Sequence, residues 1–145
     1  MTRWPWSSVA LVLVGVVVAR RLQRVEVVGH SMRPTLEPGD RLVLWRGPDR
    51  PLRPGDLVAV VDPRSMRSGH AGRPLRSGHA GRQEQRTVVK RLAAVTGDGL
   101  TVVGDNPAAS SDSRTFGPVA PQAFRGRVLY RYHPPDRRGD LPLRP

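Results

Sequence analysis

The chain of 145 residues carries a formal net charge of +12, almost wholly from arginine, and its 38% hydrophobic fraction supports a single core of modest size. It contains no cysteine, which excludes a disulfide framework, a thiolate metal site and a cysteine nucleophile. The charge suits anionic lipid headgroups or nucleic acid, or reflects a bias in composition. Nucleic acid is the weaker interpretation, because no recognisable nucleic-acid-binding motif accompanies the charge.

Residues 1–24 are predicted to form an N-terminal membrane anchor. The run 7–19 is uncharged and apolar, follows Trp4 and Trp6, and precedes Arg20, Arg21 and Arg24. A helix of this length spans about 20 Å, less than the ~30 Å hydrocarbon core, so the anchor depends on interfacial tryptophans and on snorkelling arginines. A cleaved secretory signal and a buried strand are the alternatives. By the positive-inside rule, the arginines after the run favour a cytoplasmic position for the rest of the chain. The processing of secretory proteins fits that position less well, so the side of the membrane is left open.

Residues 25–132 are predicted to be all-β, with antiparallel strands joined by turns. Alternating or continuous apolar runs predict strands at 25–28, 41–45, 57–61, 86–95, 100–103 and 126–132. Two Pro-Gly-Asp turns each lead into an apolar strand, and Thr96–Gly99 marks a hairpin. This pattern predicts a meander.

Two further segments are predicted to lie outside the sheet. Residues 67–73 recur unchanged as 76–82, and the stretch 63–86 around them is interpreted as a flexible loop rich in Arg, Gly and His. A substrate contact, a membrane contact or a metal site at His70 and His79 are the alternatives, but two histidines without carboxylate or thiol partners make a poor metal site. No metal and no cofactor is therefore predicted. The tail 133–145, rich in Pro and Arg, is predicted to be disordered.

Ser31 is a candidate nucleophile on a turn that Pro34 stiffens, and it needs a base to take its proton. The histidines are poorly placed for a triad: His30 adjoins Ser31 in a strand geometry that directs it away, and the others lie in the repeat and the tail. Lys90 is the sole lysine of the chain and lies within an apolar strand. Burial lowers the pKa of a lysine and frees its amine to act as a base, which arginine cannot do. A Ser31–Lys90 dyad is one hypothesis, and a chance position of the lysine is the other.

Three ordered blocks resemble type I signal peptidases in order and spacing: Ser31-Met32-x-Pro34-Thr35-Leu36, Lys90-Arg91, and 104–114 with Gly-Asp-Asn at its start. Residues 53–56 are similar to a further block of that family, and the resemblance covers roughly residues 25–132. It implies an all-β fold of antiparallel sheets with an apolar face near the membrane.

The resemblance also implies a Ser/Lys mechanism. Ser31 would attack the scissile carbonyl, Lys90 would act as general base, and Ser110 would orient the lysine amine. The backbone N–H of Ser31 would be one oxyanion donor, but Gly29 stands where some members carry a serine as the second. The remaining implied site residues support the polar network or the turn of the nucleophile: Asp105, Asp112, Arg114, Arg91, Met32 and Pro34.

The predicted function is a membrane-anchored serine endopeptidase that cleaves signal peptides or pro-segments after small residues. Residues 104–119 are also similar to compact actinobacterial members, some of which are described as maturation proteases for nickel-type superoxide dismutase. A protease that faces the cytoplasm and removes that pro-segment is therefore the first alternative. A non-catalytic basic module that binds anionic membrane lipids is the second, and a relative of the self-cleaving repressor proteases ranks last.

Overall fold

The computed structural model of the chain describes residues 6–47, 50–67 and 86–141, and its six strands form one antiparallel sheet. Its strands in chain order are β1 (Leu22–Glu26), β2 (Arg41–Trp45), β3 (Leu57–Val61), β4 (Thr87–Thr96), β5 (Gly99–Val103) and β6 (Phe124–His133). The all-β prediction is confirmed, and the runs 41–45 and 57–61 have the predicted bounds. The repeat at 67–82, with His70 and His79, lies almost wholly outside the described residues.

The predicted meander is wrong at one place. The strand order in the sheet is β1-β2-β6-β3-β4-β5, so the last strand lies between β2 and β3. Leu44 of β2 pairs with Val128, while Ala59 of β3 pairs with Gly126. Residues 46–56 separate β2 from β3, and a connection of that length does not impose the pairing that a tight hairpin imposes. The two-residue hairpin between β4 and β5, in contrast, is present as predicted, with Thr96 opposite Gly99.

The two Pro-Gly-Asp turns have the same internal hydrogen bonds. Gly39 and Gly55 have φ values of +89° and +94°, in the left-handed region that favours glycine. The carboxylate of Asp40 then accepts from the backbone N–H of Glu37 at 3.0 Å. Asp56 accepts from Arg53 in the same way at 2.9 Å. Each turn therefore carries a buried aspartate at the start of a strand.

Strand β3 is buried along its whole length and contributes residues to two apolar clusters. The first cluster contains Val58, Val60, Val61, Leu92, Leu100, Val102, Val119 and Ala123. The second contains Val27, Met32, Leu36, Leu42 and Leu57, with Val25, Val89, Val128 and Leu141 packed against it. Two of these second-cluster residues, Met32 and Leu36, flank the turn of the candidate nucleophile, so the core itself fixes that turn.

The N-terminal apolar run forms helix α1 (Trp6–Arg21), which continues directly into β1. Its described apolar side chains are exposed on all sides, with Leu11 at 75% and Val14 at 60%. Among the residues that the structure describes, no helix reaches the length and apolar character needed to cross a membrane. The prediction of a transmembrane helix is thus not supported.

Residues 133–141 of the predicted disordered tail make defined contacts with the sheet, which the sequence did not predict. Pro135–Arg137 form a 3-10 turn, and Arg131 and Gly139 exchange two backbone hydrogen bonds of 3.1 Å. Arg137 reaches the buried carboxylate of Asp40 at 3.1 Å, and Leu141 packs against the second cluster. A prediction from composition alone has no access to these two contacts, which give the segment its order. The other helical elements are short: α2 (Pro63–Arg67), α3 (Ser113–Phe116) and 3-10 turns at Pro107–Ala109 and Pro121–Ala123.

Candidate active site

Ser31 lies on a turn between β1 and β2 that is anchored on both sides in the core. The next residue, Met32, is 1% exposed and Leu36 is fully buried, and the N–H of Leu36 donates to the carbonyl of Met32 at 2.9 Å. Pro34 is exposed on the same turn and follows a cis peptide bond. Ser31 itself is half-buried and lines a groove. A buried framework therefore presents a partly open serine.

Asn106 fastens this turn to the loop that follows β5. Its backbone N–H donates to the carbonyl of Ser31 at 3.0 Å, and its side-chain amide donates to the carbonyl of His30 at 3.1 Å. Both carbonyls are thus held by one residue of the Gly-Asp-Asn block. The backbone around the serine hydroxyl has a defined position as a result.

Lys90 lies on β4 with only 3% of its surface exposed, as the apolar sequence around it predicts. Its Nζ donates a hydrogen bond to the Ser110 hydroxyl at 2.9 Å. Burial lowers the pKa of Lys90 from its ordinary value, against the opposing pull of the Asp112 carboxylate, which favours the charged form. The amine is therefore easier to deprotonate than an exposed lysine.

Asp112 is fully buried and receives hydrogen bonds from three residues. Ser110 donates to it at 2.6 Å, the backbone N–H of Gly104 at 2.8 Å, and the Arg114 guanidinium at 2.6 and 2.9 Å. These bonds, that of Arg114 first, hold the pKa of Asp112 well below its usual range. The group is a carboxylate at any pH near neutrality, and it acts only as an acceptor.

The direction of these hydrogen bonds has a consequence for the lysine. Because the Ser110 proton points to the Asp112 carboxylate, the Ser110 oxygen can only accept from Lys90. A neutral Lys90 therefore uses an N–H towards Ser110, and its lone pair is left for another proton. This is the arrangement that a lysine base requires.

A second polar cluster ties the three sequence blocks together. Arg91 binds Asp105 with two hydrogen bonds of 2.7 Å and donates to the carbonyl of Gly55 at 2.8 Å. Thr35, from the turn of the nucleophile, donates to the same Asp105 at 2.5 Å. Arg91 and Asp105 are almost completely buried. Paired, bidentate charges of this kind keep their geometry because either one alone would be costly to bury.

Gly104 is the point where Ser31 and Ser110 approach each other. A Cβ added at Gly104 would collide both with the carbonyl oxygen of Ser31 and with the side chain of Ser110. The partner of Lys90 thus lies beside the backbone of the candidate nucleophile. Among the residues that the structure describes, none forms a hydrogen bond with the Ser31 hydroxyl, so no Ser31–Lys90 bond is present.

A groove of about 510 Å³ leads to Ser31 between β1 and β4. It is lined by Val25, Glu26, Val27, Val28, Ser31, Met32, Arg86, Thr87, Val88 and Val89. Its walls are mostly β-branched apolar side chains, with Glu26 and Arg86 the charged residues among them.

Sequence reasoning assigned no role to Asn106, Thr35 and Gly104. All three lie inside the quoted blocks, but their roles depend on contacts between segments distant in the chain: Thr35 and Asp105 are 70 residues apart, and Asn106 and His30 are 76 apart. Within residues 6–47, 50–67 and 86–141, no group of three or more His, Asp or Glu side chains could hold a metal ion.

Comparison with known proteins adds an independent observation. The model of the signal peptidase family, peptidase S26, matches residues 1–102. The Arabidopsis thaliana mitochondrial ATP-independent inner membrane protease subunit 1a is 30% identical, over 83% of this chain and 76% of its own length. Subunit 2 of the mitochondrial inner membrane protease is 30% identical in Saccharomyces cerevisiae, over 81% and 72% of the two chains. The Mus musculus subunit 2 is 25% identical over 77% and 67%.

Proposed function

The chain belongs to the signal peptidase family, peptidase S26, and on that basis we propose that it is a membrane-attached serine endopeptidase. In this proposal Ser31 and Lys90 form a catalytic dyad that cleaves signal peptides or pro-segments after small residues. The observation that carries it is the buried Lys90 amine, whose donated hydrogen bond ends on Ser110, beside the Ser31 backbone. Such a geometry leaves a lone pair for a serine proton.

The proposed reaction has two stages. Neutral Lys90 takes the proton of Ser31 as its oxygen attacks the scissile carbonyl, and the lysine then gives that proton to the leaving amine. In the second stage Lys90 takes a proton from water as the water attacks the acyl-enzyme; the bond to the Ser31 oxygen then breaks, and Lys90 returns that proton to Ser31. Ser110 keeps the amine oriented throughout, because Asp112 fixes the Ser110 proton. The rotation that brings the Ser31 hydroxyl to the amine is expected when substrate fills the groove.

The backbone N–H of Ser31 is the proposed oxyanion donor. Asn106 binds the His30 carbonyl, which belongs to the same peptide unit as this N–H, and the Ser31 carbonyl of the next unit, which supports a fixed direction for the N–H. A well-aimed donor of this kind contributes about 3–4 kcal/mol to the transition state. Gly29 offers no side chain as a second donor.

The substrate is proposed to bind as an added strand. Among the described strands, β1 pairs only with β2, and residues 87–90 of β4 pair only with β3. The groove lies between these two edges, so their free backbone groups suit an extended peptide. The valines along the groove support a preference for small side chains next to the cleaved bond.

Attachment to a membrane is proposed through α1, including the two arginines of its last turn, and through Arg24. The exposed valines and leucines of α1 suit an apolar environment better than water. Arg20 and Arg21 in the last turn of α1, with Arg24 just after it, would meet anionic lipid headgroups. The relatives named above are described as inner membrane proteases, which agrees with a membrane location.

Two peptide substrates test the proposal directly. The purified chain would be incubated with a signal peptide and, in parallel, with the pro-segment of nickel-type superoxide dismutase, and products would be identified by mass spectrometry. Cleavage after a small residue, lost in Ser31→Ala, is the expected result, and the peptide that is cut decides between the two substrate classes. Liposome binding without any cleavage would instead favour the non-catalytic module.

A further inference from the structure

The C-terminal segment Pro134–Leu141, here called the C-terminal strap, crosses back to the loop that carries the candidate nucleophile. We propose that this strap is a positioning element: Arg137, together with Arg131 of β6, holds the loop 35–40 and through it the turn of Ser31. The inference rests on the proposed role of Ser31. It adds residues that the resemblance to signal peptidases does not include.

The contact is centred on Asp40, which is 1% exposed. One oxygen, Oδ2, accepts from Arg131 at 3.2 Å and from Arg137 at 3.1 Å, besides the N–H of Glu37 at 3.0 Å. The backbone carbonyl of the same residue accepts from Val27 at 2.8 Å. Asp40 therefore joins the end of β1, the loop after the nucleophile and the strap.

Arg131 connects the strap to the loop a second time. Its guanidinium, 14% exposed, donates to the carbonyl of Thr35 at 3.2 Å and to the carbonyl of Arg137. Its backbone pairs with Gly139. Thr35 is therefore held at two points: its side chain binds Asp105, and its backbone carbonyl binds Arg131.

An apolar contact accompanies the charged ones. Leu141 packs against the cluster that contains Met32, the residue next to Ser31, and Leu36. The strap therefore contacts the region of the nucleophile turn in two ways: through the Asp40 carboxylate and through the second apolar cluster.

The other Pro-Gly-Asp turn shows why the distant arginines are informative. Asp56 is equally buried and has the same turn geometry, but Arg50, its arginine partner, is only 6 residues away. Arg131 and Arg137 are 91 and 97 residues from Asp40. A turn of this type can be satisfied by a local arginine, so the long-range pair does more than complete the turn: it ties the C-terminal part of the chain to the loop that follows the nucleophile.

The proposal is tested in the full chain with Arg137→Ala and a matched control, Arg138→Ala. Arg138 is a neighbouring strap residue, is exposed, and its guanidinium donates to the Tyr132 carbonyl at 3.3 Å, away from Asp40. The readouts are kcat and KM on a cleaved peptide, the thermal midpoint, and hydrogen exchange of the Gly39 and Asp40 amides. Arg137→Lys, which keeps the charge, is the milder variant in case Arg137→Ala fails to fold.

We expect Arg137→Ala to lower kcat about 10- to 100-fold at a temperature well below its midpoint, with KM within about 2-fold, since a displaced nucleophile affects the reaction more than binding. Exchange at Gly39 and Asp40 should accelerate, Arg137→Lys should recover part of both effects, and Arg138→Ala should match the wild type. Unchanged kcat in a folded Arg137→Ala, or an equal loss in Arg138→Ala, would overturn the positioning role. If the wild type cleaves nothing, the proposed function fails, and unchanged loop exchange in Arg137→Ala would then refute the strap separately.

Discussion

At the scale of single residues, Lys90 is subject to two opposing effects. Burial favours the neutral amine, while the Asp112 carboxylate favours the ammonium form. Burial is the larger effect, so the pKa of Lys90 lies below its ordinary value of about 10.4. In the proposed dyad, the hydrogen bond to Ser110 would hold the neutral amine in one orientation.

The pH dependence of cleavage follows from this balance. Only the neutral lysine accepts a proton, so kcat should rise with pH through the lowered pKa of Lys90. Asp112→Asn removes the charge that favours the ammonium form and should move this rise to lower pH. The plateau should fall as well, because Ser110 loses its anionic acceptor. A pH–rate profile of both proteins measures the two effects, and a rise that moves to higher pH in Asp112→Asn would contradict the electrostatic assignment.

Replacement of Lys90, the proposed base, should change stability and activity in opposite directions. Between the lowered pKa of Lys90 and about pH 10.4, the unfolded chain binds more protons than the folded one, so stability rises with pH in that window. Lys90→Met removes the buried amine and should abolish cleavage while raising the free energy of unfolding at neutral pH by about 1–3 kcal/mol. Denaturant unfolding at two pH values tests this. A lower free energy of unfolding in Lys90→Met would show that burial of the Lys90 amine does not destabilise the folded chain.

At the scale of elements, the loop after β5 must approach the nucleophile turn closely, and Gly104 permits that approach. Gly104→Ala would place a methyl group against the Ser31 carbonyl and the Ser110 hydroxyl. We expect kcat to fall at least about 100-fold, because a displacement near 1 Å at the reacting groups has an effect of that size.

Gly97→Ala is the matched control for that variant. An added Cβ at Gly97, in the β4–β5 hairpin, meets nothing within 4 Å, so its kcat should be close to that of the wild type. Peptide cleavage by both variants, with folding checked by circular dichroism, makes the comparison. Retention of full activity in Gly104→Ala would contradict the convergence of the two loops.

The sequence predicted the elements better than their arrangement. β2, β3 and the β4–β5 hairpin were predictable because their apolar runs and turn residues are local. The position of β6 between β2 and β3 was not predictable, because no tight turn joins β6 to either strand and local sequence therefore does not specify the pairing. Lys90 could be singled out as a lysine in an apolar strand, and Ser110 by resemblance to a family. The roles of Asn106 and Arg137 could not be predicted, because their partners, His30 and Asp40, lie far away in the chain.

At the scale of the whole molecule, the exposed apolar helix α1 precedes the domain formed by the six-stranded sheet. We predict that Leu11→Asp with Leu13→Asp moves the chain from the membrane fraction to the supernatant of lysed cells, because each buried aspartate costs about 2.5–3.5 kcal/mol in a bilayer. Cleavage of a soluble peptide should persist, since α1 lies outside the groove.

Val95→Asp is the control for membrane release. Val95 is 54% exposed, on the β4–β5 hairpin at the far end of the sheet from β1. This variant should fractionate like the wild type. Equal fractionation of both variants would contradict attachment through α1.

The most direct test of the Ser31–Lys90 dyad is the cleavage rate of one peptide by four proteins: the wild type, Ser31→Ala, Lys90→Ala and His30→Ala. The histidine variant is the control, because His30 is exposed and adjoins the nucleophile, and no described residue forms a hydrogen bond with the Ser31 hydroxyl. The dyad predicts a fall in kcat of about 10³-fold or more for Ser31→Ala and Lys90→Ala, in folded proteins, and a rate near that of the wild type for His30→Ala. Equal cleavage by the wild type and Lys90→Ala would contradict it.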